Sequence, residues 1–136
     1  MDHPLHSPLR WACALALLVT AATHIPLVPD HLEEAPYVGV LFILLSVVSI
    51  ALAALILVRD VPLVWAASGT VTLLAFVAFL VSRTIGLPQI GDDIGNWSDP
   101  LGFPALAAEV ATVVLTALAI RSADVAAAAP ARPSPR

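Results

Sequence analysis

Hydrophobic residues fall into four long runs along the chain, separated by short polar segments. A helix that crosses a bilayer needs about 20 consecutive apolar residues, and each run reaches or approaches that length. The predicted spans are residues 11–28, 36–58, 61–82 and 101–121. The pattern therefore predicts an all-α fold, an integral membrane antiparallel four-helix bundle made by one domain over residues 1–121.

The two ends of the chain need separate interpretations. The first span also resembles a cleavable signal peptide, because Arg10 precedes it and small residues follow at 19–22. Pro26, Pro29 and the very short loop to the second span favour a retained helix instead. Residues 122–136, rich in Ala, Pro and Arg, lack stop signals and periodicity, so we expect a disordered cytoplasmic tail.

Composition agrees with a membrane protein and argues against several other classes. Of the 136 residues, 60% are hydrophobic and only 12% are charged, whereas a soluble domain has about 25% charged residues. Ten acidic residues against six arginines leave no basic surface for nucleic acid. Cys13 is the single cysteine, which excludes an intrachain disulfide. Because no nucleophile-elbow, phosphate-loop or paired-cysteine motif is present, the sequence indicates no enzyme.

The distribution of charge predicts the orientation. In a four-span layout Arg10, Arg59 and the arginines of the tail lie on one side of the membrane, and only Arg83 lies on the other. Cytoplasmic segments carry an excess of Lys and Arg, so both termini are predicted to be cytoplasmic in a multi-pass protein of the plasma membrane. The opposite side collects the acidic residues Asp30, Glu33, Glu34, Asp92, Asp93 and Asp99.

Every span carries small or polar residues at steps of three, four or seven, which keeps them on one helix face. These stripes are Ala12, Ala16, Thr20 and His24; Ser46, Ser49 and Ala53; Ser68, Thr72, Ala75 and Ser82; and Ala105, Glu109, Thr112, Thr116 and Ala119. Helices associate in membranes through small residues and interhelical hydrogen bonds. We therefore expect the stripes to face one another inside the bundle.

Glu109 is the only charged residue in the fourth run. A charge at membrane depth costs roughly 2.5 to 3.5 kcal/mol on insertion scales, so this carboxylate needs an explanation. At a rise of about 1.5 Å per residue, His24 lies about 20 Å above Trp11 and Glu109 about 18 Å above Arg121. The two side chains are therefore expected at similar depth, and they touch if the first and fourth helices are neighbours.

Around Glu109 the sequence predicts a polar cluster at the extracytoplasmic end. Its members are His24, Arg83, Glu109, Asp92 and Asp93. The simplest interpretation is structural: Arg83 pairs with Glu109, and His24 hydrogen-bonds Glu109 or a free backbone carbonyl. The protein would then be a non-enzymatic accessory, assembly or partner-binding component in the lipid bilayer, acting as a homo-oligomer or with another membrane protein.

Metal binding is one alternative use of this cluster. Imidazoles and carboxylates suit copper or zinc, and the candidate ligands are His24, His31, Glu34 and Glu109. His24 and His31 are seven residues apart, two turns of a helix. Pro26 and Pro29 between them argue against a continuous helix, so the spacing alone does not define a ligand geometry.

Ligand binding is the other alternative. Buried ionisable groups that face a bundle interior mark substrate or proton routes, so the outer loop would cover a cavity for a lipid, quinone or other small ligand. His24 and Glu109 would suit a proton relay, since histidine titrates near neutral pH. A transport path would require an oligomer, because four short helices leave little room in one chain.

The segment Ser82-Arg83-Thr84-Ile85-Gly86-Leu87-Pro88, followed by an acidic, Gly-rich stretch and then Glu109, resembles small uncharacterised four-span membrane proteins of actinobacteria. The similarity covers roughly residues 20 to 110. It implies a shared topology and a shared outer cluster, and it implies no reaction. Locally, Arg-Thr-x-Gly-Leu-Pro predicts a helix end followed by a turn, with Gly86 at positive φ.

Overall fold

The computed structural model describes residue 5 and residues 7–128, which are almost entirely helical. The helices are α1 (Arg10–His24), α2 (Val28–Glu34), α3 (Pro36–Arg59), α4 (Pro62–Thr84) and α5 (Gly102–Ala128), with 3₁₀ turns at Ile25–Leu27 and Gly91–Asp93. In this part of the chain four helical stretches are long and apolar enough to cross a membrane: Arg10–Glu34, Pro36–Arg59, Pro62–Thr84 and Gly102–Val125. The predicted all-α four-helix membrane bundle is confirmed.

The four spans form a ring in which α1 packs on α3 and α5, and α4 packs on α5 and, less closely, on α3. One end of the ring, the terminal end, carries the start of α1, the turn at Asp60 and the end of α5. The other end, the loop end, carries α2 and residues 85–101. The contact between α3 and α4, called the seam below, is the least extensive of the four contacts in the ring.

The first span continues through its two prolines. A single 3₁₀ turn, Ile25–Leu27, follows α1 and leads directly into α2. Pro26 and Pro29 occupy the first positions of the 3₁₀ turn and of α2, where a missing N–H removes no intrahelical hydrogen bond. No single α-helix therefore joins His24 to His31, as the prolines predicted, but the 3₁₀ turn keeps the path helical between them.

The fourth span extends beyond its predicted end at residue 121. Helix α5 runs to Ala128, so residues 122–128 are helical where the sequence pattern predicted the start of a disordered tail. This extension is rich in alanine, the strongest helix former, which explains the continuation. The rest of the predicted tail, residues 129–136, lies outside the described residues.

The predicted stripes do face the interior of the bundle. Thr20, Ser49, Thr72 and Thr112, one from each span, are all fully buried, and only Ala12 among the predicted positions is exposed. Most of the hydroxyls donate to a carbonyl one turn earlier in their own helix, as Thr112 does to Ala108 at 2.9 Å. The stripes therefore act through close packing more than through hydrogen bonds between helices, which fits the small size of these side chains.

The terminal half of the bundle holds a closed apolar core around the fully buried Trp65. The indole N–H of Trp65 donates to Oδ1 of Asp60 at 2.7 Å, and the backbone N–H of Ser7 donates to Oδ2 at 2.8 Å. The guanidinium of Arg10 lies 3.8 Å from the same carboxylate. Asp60 thereby fastens the N-terminal segment to the α3–α4 turn.

Candidate functional site

Arg83 marks the loop end of α4, and its side chain is only 7% exposed. Its guanidinium contacts Asp93, and Nη2 lies 3.4 Å from Oδ2 of Asp99. The predicted ion pair between Arg83 and Glu109 is therefore wrong. The physical reason is local, since Asp93 and Asp99 reach the guanidinium from the adjoining loop while Glu109 lies deeper on α5.

The loop after α4 is shaped to bring those carboxylates back over the bundle. Gly86 has φ +89°, as the helix-end motif predicted, and its N–H donates to the carbonyl of Val81 at 2.9 Å. The N–H of Gly95 donates to the carbonyl of Arg83 at 2.9 Å. Asp99 also accepts the N–H of Leu101 at 2.9 Å just before α5 begins. The loop therefore forms a fixed cover at this end.

Glu109 lies one helical turn deeper than Ala105 and faces α1. Its side chain is 2% exposed, and Oε1 lies 3.9 Å from Nε2 of His24. That contact agrees with the expected similar depth of the two side chains. The distance exceeds a hydrogen bond, and Oε2 has no hydrogen-bond partner among the described residues. Glu109 is therefore a buried carboxylate without the ion pair expected for it.

The orientation of His24 is set by its own helix. Its Nδ1–H donates to the carbonyl of Thr20 at 2.8 Å, which leaves Nε2 pointing away from the backbone. His31 is held in the same way by the carbonyl of Leu27, also at 2.8 Å. Both imidazoles pack against Phe42 of α3, with ring centroids 4.9 Å and 4.8 Å away. The seven-residue spacing thus places the two histidines on one face after all.

The candidate metal ligands are not brought together. No group of three or more His, Cys, Asp or Glu side chains among residue 5 and residues 7–128 could hold a metal ion. Glu34 at the end of α2 and Asp92 in the loop are both exposed, and no ion pair involves either of them in the described chain. The described residues therefore hold no preformed copper or zinc site at His24, His31, Glu34 and Glu109.

A cavity of about 440 Å³ occupies the loop half of the bundle along the seam between α3 and α4. That volume falls in the range of small-molecule sites, roughly 300 to 1,000 Å³. Its walls are apolar, with residues such as Leu45, Val48, Val71 and Ala75. Leu44 and Leu74 line the cavity and are exposed at the seam, so the cavity opens onto the outer surface of the bundle, which faces lipid in a membrane.

The polar groups that line the cavity gather at its loop end. They are His24, His31, Ser82, Arg83, Asp93 and Asp99. Glu109 does not line the cavity, so His24 is the member of that pair that a ligand would meet. The cavity therefore combines a long apolar body with one polar end.

Sequence patterns indicated part of this site and missed the rest. The polar residues were recognisable because charge and imidazole are rare in apolar runs. Phe42, Phe79 and the leucines of the cavity wall were not recognisable, because an apolar residue that faces a cavity looks like one that faces lipid. No family model, curated protein or solved structure matches this chain. Its function is therefore inferred from the geometry of this site.

Proposed function

We propose that the protein is a non-enzymatic, multi-pass protein of the cell membrane that binds a membrane-soluble ligand in the cavity between α3 and α4. One observation carries the proposal: a cavity of about 440 Å³ whose apolar walls end at buried polar side chains. A ligand pocket is expected to combine a mostly apolar lining with a few convergent polar groups, and this cavity has both.

The position of the cavity favours a ligand that arrives through the bilayer. Helices α3 and α4 make the least extensive contact of the neighbouring pairs, and the cavity opens along their seam. The loop from Ile85 to Leu101 covers the other end, where Tyr37 of α3 donates a hydrogen bond to the carbonyl of Pro88 at 2.7 Å. An amphipathic molecule can therefore enter sideways, with its tail among apolar residues and its head beneath the loop.

In this proposal Arg83 holds the loop in place over the polar end of the cavity. Its contacts with Asp93 and Asp99 join the end of α4 to the loop and to the start of α5. This supports the structural interpretation of the cluster for Arg83, though not for Glu109. A rigid cover keeps the polar end of the cavity in place while the apolar end stays accessible from lipid. That the protein acts as an accessory component for a membrane partner or as a homo-oligomer stays a prediction.

The charge distribution supports an orientation with both termini in the cytoplasm. Arg10, Arg59 and Arg121 lie towards the terminal end, and Arg83 is the only arginine at the loop end. Three of the four arginines of the described chain therefore lie at the terminal end, and an excess of arginine is typical of cytoplasmic segments. The cavity then opens in the extracytoplasmic half of the plasma membrane.

A pair of matched variants tests ligand binding in the cavity. Ala75 lines the cavity, whereas Ala66 is exposed on the same helix and does not line it. The probe is an anthroyl-labelled fatty alcohol, whose fluorescence rises in an apolar site. We expect saturable binding to the purified full chain, weakened at least about tenfold by Ala75→Phe and unchanged by Ala66→Phe. Equal binding by both variants and the unmodified protein would contradict the proposal.

A further inference from the structure

We infer that the head group bound in this cavity is a flat, uncharged ring that bears a hydroxyl, as in a quinol, and that the hydroxyl donates to Nε2 of His24. The inference rests on the proposed ligand cavity and adds the chemical class of the ligand. Three features of the polar end lead to it: the balance of charge, the aromatic lining and the hydrogen-bonding state of His24.

The balance of charge disfavours an anionic head group. Among the described residues that line the cavity, only Arg83 carries a permanent positive charge, and it contacts the carboxylates of both Asp93 and Asp99. Glu109 adds a third carboxyl group just behind His24. A lipid phosphate would therefore meet a site whose only fixed cation is already neutralised, and leaving a buried charge unpaired is costly.

Aromatic rings line the same end. His24 and His31 both pack on Phe42, and Arg83 lies over the ring of Phe79 with Cζ 5.0 Å from its centroid. Phe42 belongs to α3 and Phe79 to α4, so the two helices that border the seam each contribute a ring to the cavity. Aromatic rings stabilise one another in edge-to-face and offset arrangements. A planar head group suits this lining better than a flexible sugar or glycerol.

His24 supplies a defined acceptor for the ring hydroxyl. Its Nδ1–H is used by the carbonyl of Thr20, so in the neutral imidazole Nε2 is an acceptor and has no proton to donate. Nε2 lies 3.9 Å from Oε1 of Glu109, which is too long for a hydrogen bond. Because His24 lines the cavity and its Nδ1 side is turned to the backbone, we assign Nε2 as the acceptor for the hydroxyl of the ligand.

Below the head group, the walls suit an isoprenoid or alkyl tail. Val48 and Val71 line the cavity from α3 and α4 at a deeper level than Phe42 and Phe79. A tail longer than the cavity can continue into lipid through the seam. The inferred ligand therefore fits both the polar and the apolar end of the cavity. Its binding involves no covalent or redox step.

Two ligands with short alkyl tails test the head-group chemistry on the full chain in detergent. Decylubiquinol carries ring hydroxyls, and its dimethyl ether keeps the ring and tail but has no O–H. We expect the quinol to bind about tenfold more tightly, because one hydrogen bond in an apolar site is worth about one order of magnitude in affinity. Equal affinity of the two probes for the unmodified protein would overturn the inference.

Histidine variants provide the second arm. His24→Phe should remove the preference for the quinol, while His31→Phe should keep it, because both histidines contact Phe42 but the hydroxyl is assigned to His24, the more buried of the two. A preference that survives His24→Phe would also overturn the inference. If the labelled fatty alcohol still binds in an Ala75-dependent way while the quinol shows no advantage, the head-group assignment fails and the ligand cavity stands. If the fatty alcohol does not bind either, both fail.

Discussion

Nε2 of His24 and Oε1 of Glu109 lie 3.9 Å apart where α1 meets α5, in the loop half of the bundle. The contact is close enough for electrostatic influence and too long for a hydrogen bond. Buried polar groups normally find partners, whereas Oε2 of Glu109 has none among the described residues. Glu109 therefore contributes little to the cohesion of the helices, in contrast to Arg83.

Replacing Glu109 should not weaken the fold. Methionine has a similar length and no buried polar atoms, and removal of an unsatisfied buried carboxyl group offsets any imperfect packing. We predict that Glu109→Met leaves the free energy of unfolding unchanged or raises it by up to about 2 kcal/mol. Denaturant titration of the detergent-solubilised protein measures this, with Glu34→Met at an exposed position as the control. A clear loss of stability for Glu109→Met alone would mean that the carboxylate has a structural partner.

Arg83 should behave in the opposite way. Arg83→Gln leaves Asp93 and Asp99 without their cation and detaches the loop from α4. Because both carboxylates are partly exposed, we expect a loss of about 2 kcal/mol, less than for a fully buried pair. Arg59→Gln, at an exposed position on α3, is the matched control and should be neutral. The same denaturant titration applies, and equal effects of the two variants would contradict the role of Arg83 as a brace.

The fold and the general location of the site were predictable from sequence. Apolar runs of membrane-crossing length fixed the number of spans, and steps of three and four placed Thr20, Thr72 and Thr112 on buried faces. Depth counting brought His24 next to Glu109 correctly. These inferences succeeded because they depend on helix geometry, which is the same in every helix.

Contacts that depend on loop conformation were not predictable. Arg83 was assigned to Glu109, but the turn at Gly86 returns the loop and offers Asp93 and Asp99 first. Likewise, nothing in the sequence indicated that Asp60, in a tight turn, would be buried and accept hydrogen bonds from Trp65 and Ser7. The extension of the first span from its predicted end at residue 28 to Glu34 was also missed, because prolines at first-turn positions are compatible with a helical path.

The proposed orientation can be measured with cysteine labelling in intact cells. The native Cys13 is buried, so an added cysteine at an exposed site is the reactive one. Gly91→Cys lies in the loop, and Ala128→Cys lies at the end of α5. If both termini are cytoplasmic, a membrane-impermeant maleimide labels Gly91→Cys and leaves Ala128→Cys unlabelled until the cells are opened. Labelling of Ala128→Cys alone in intact cells would reverse the topology.

The central claim is that the seam between α3 and α4 holds a ligand taken from the bilayer. A fatty alcohol with a photoactivatable diazirine, irradiated with the full chain in detergent and mapped by mass spectrometry, tests it most directly. We predict that adducts concentrate on the cavity walls, at positions such as Leu45 and Ala75, and that excess unlabelled alcohol removes them. Adducts spread evenly over exposed lipid-facing residues such as Leu15 and Leu118, with no competition by unlabelled alcohol, would contradict the account.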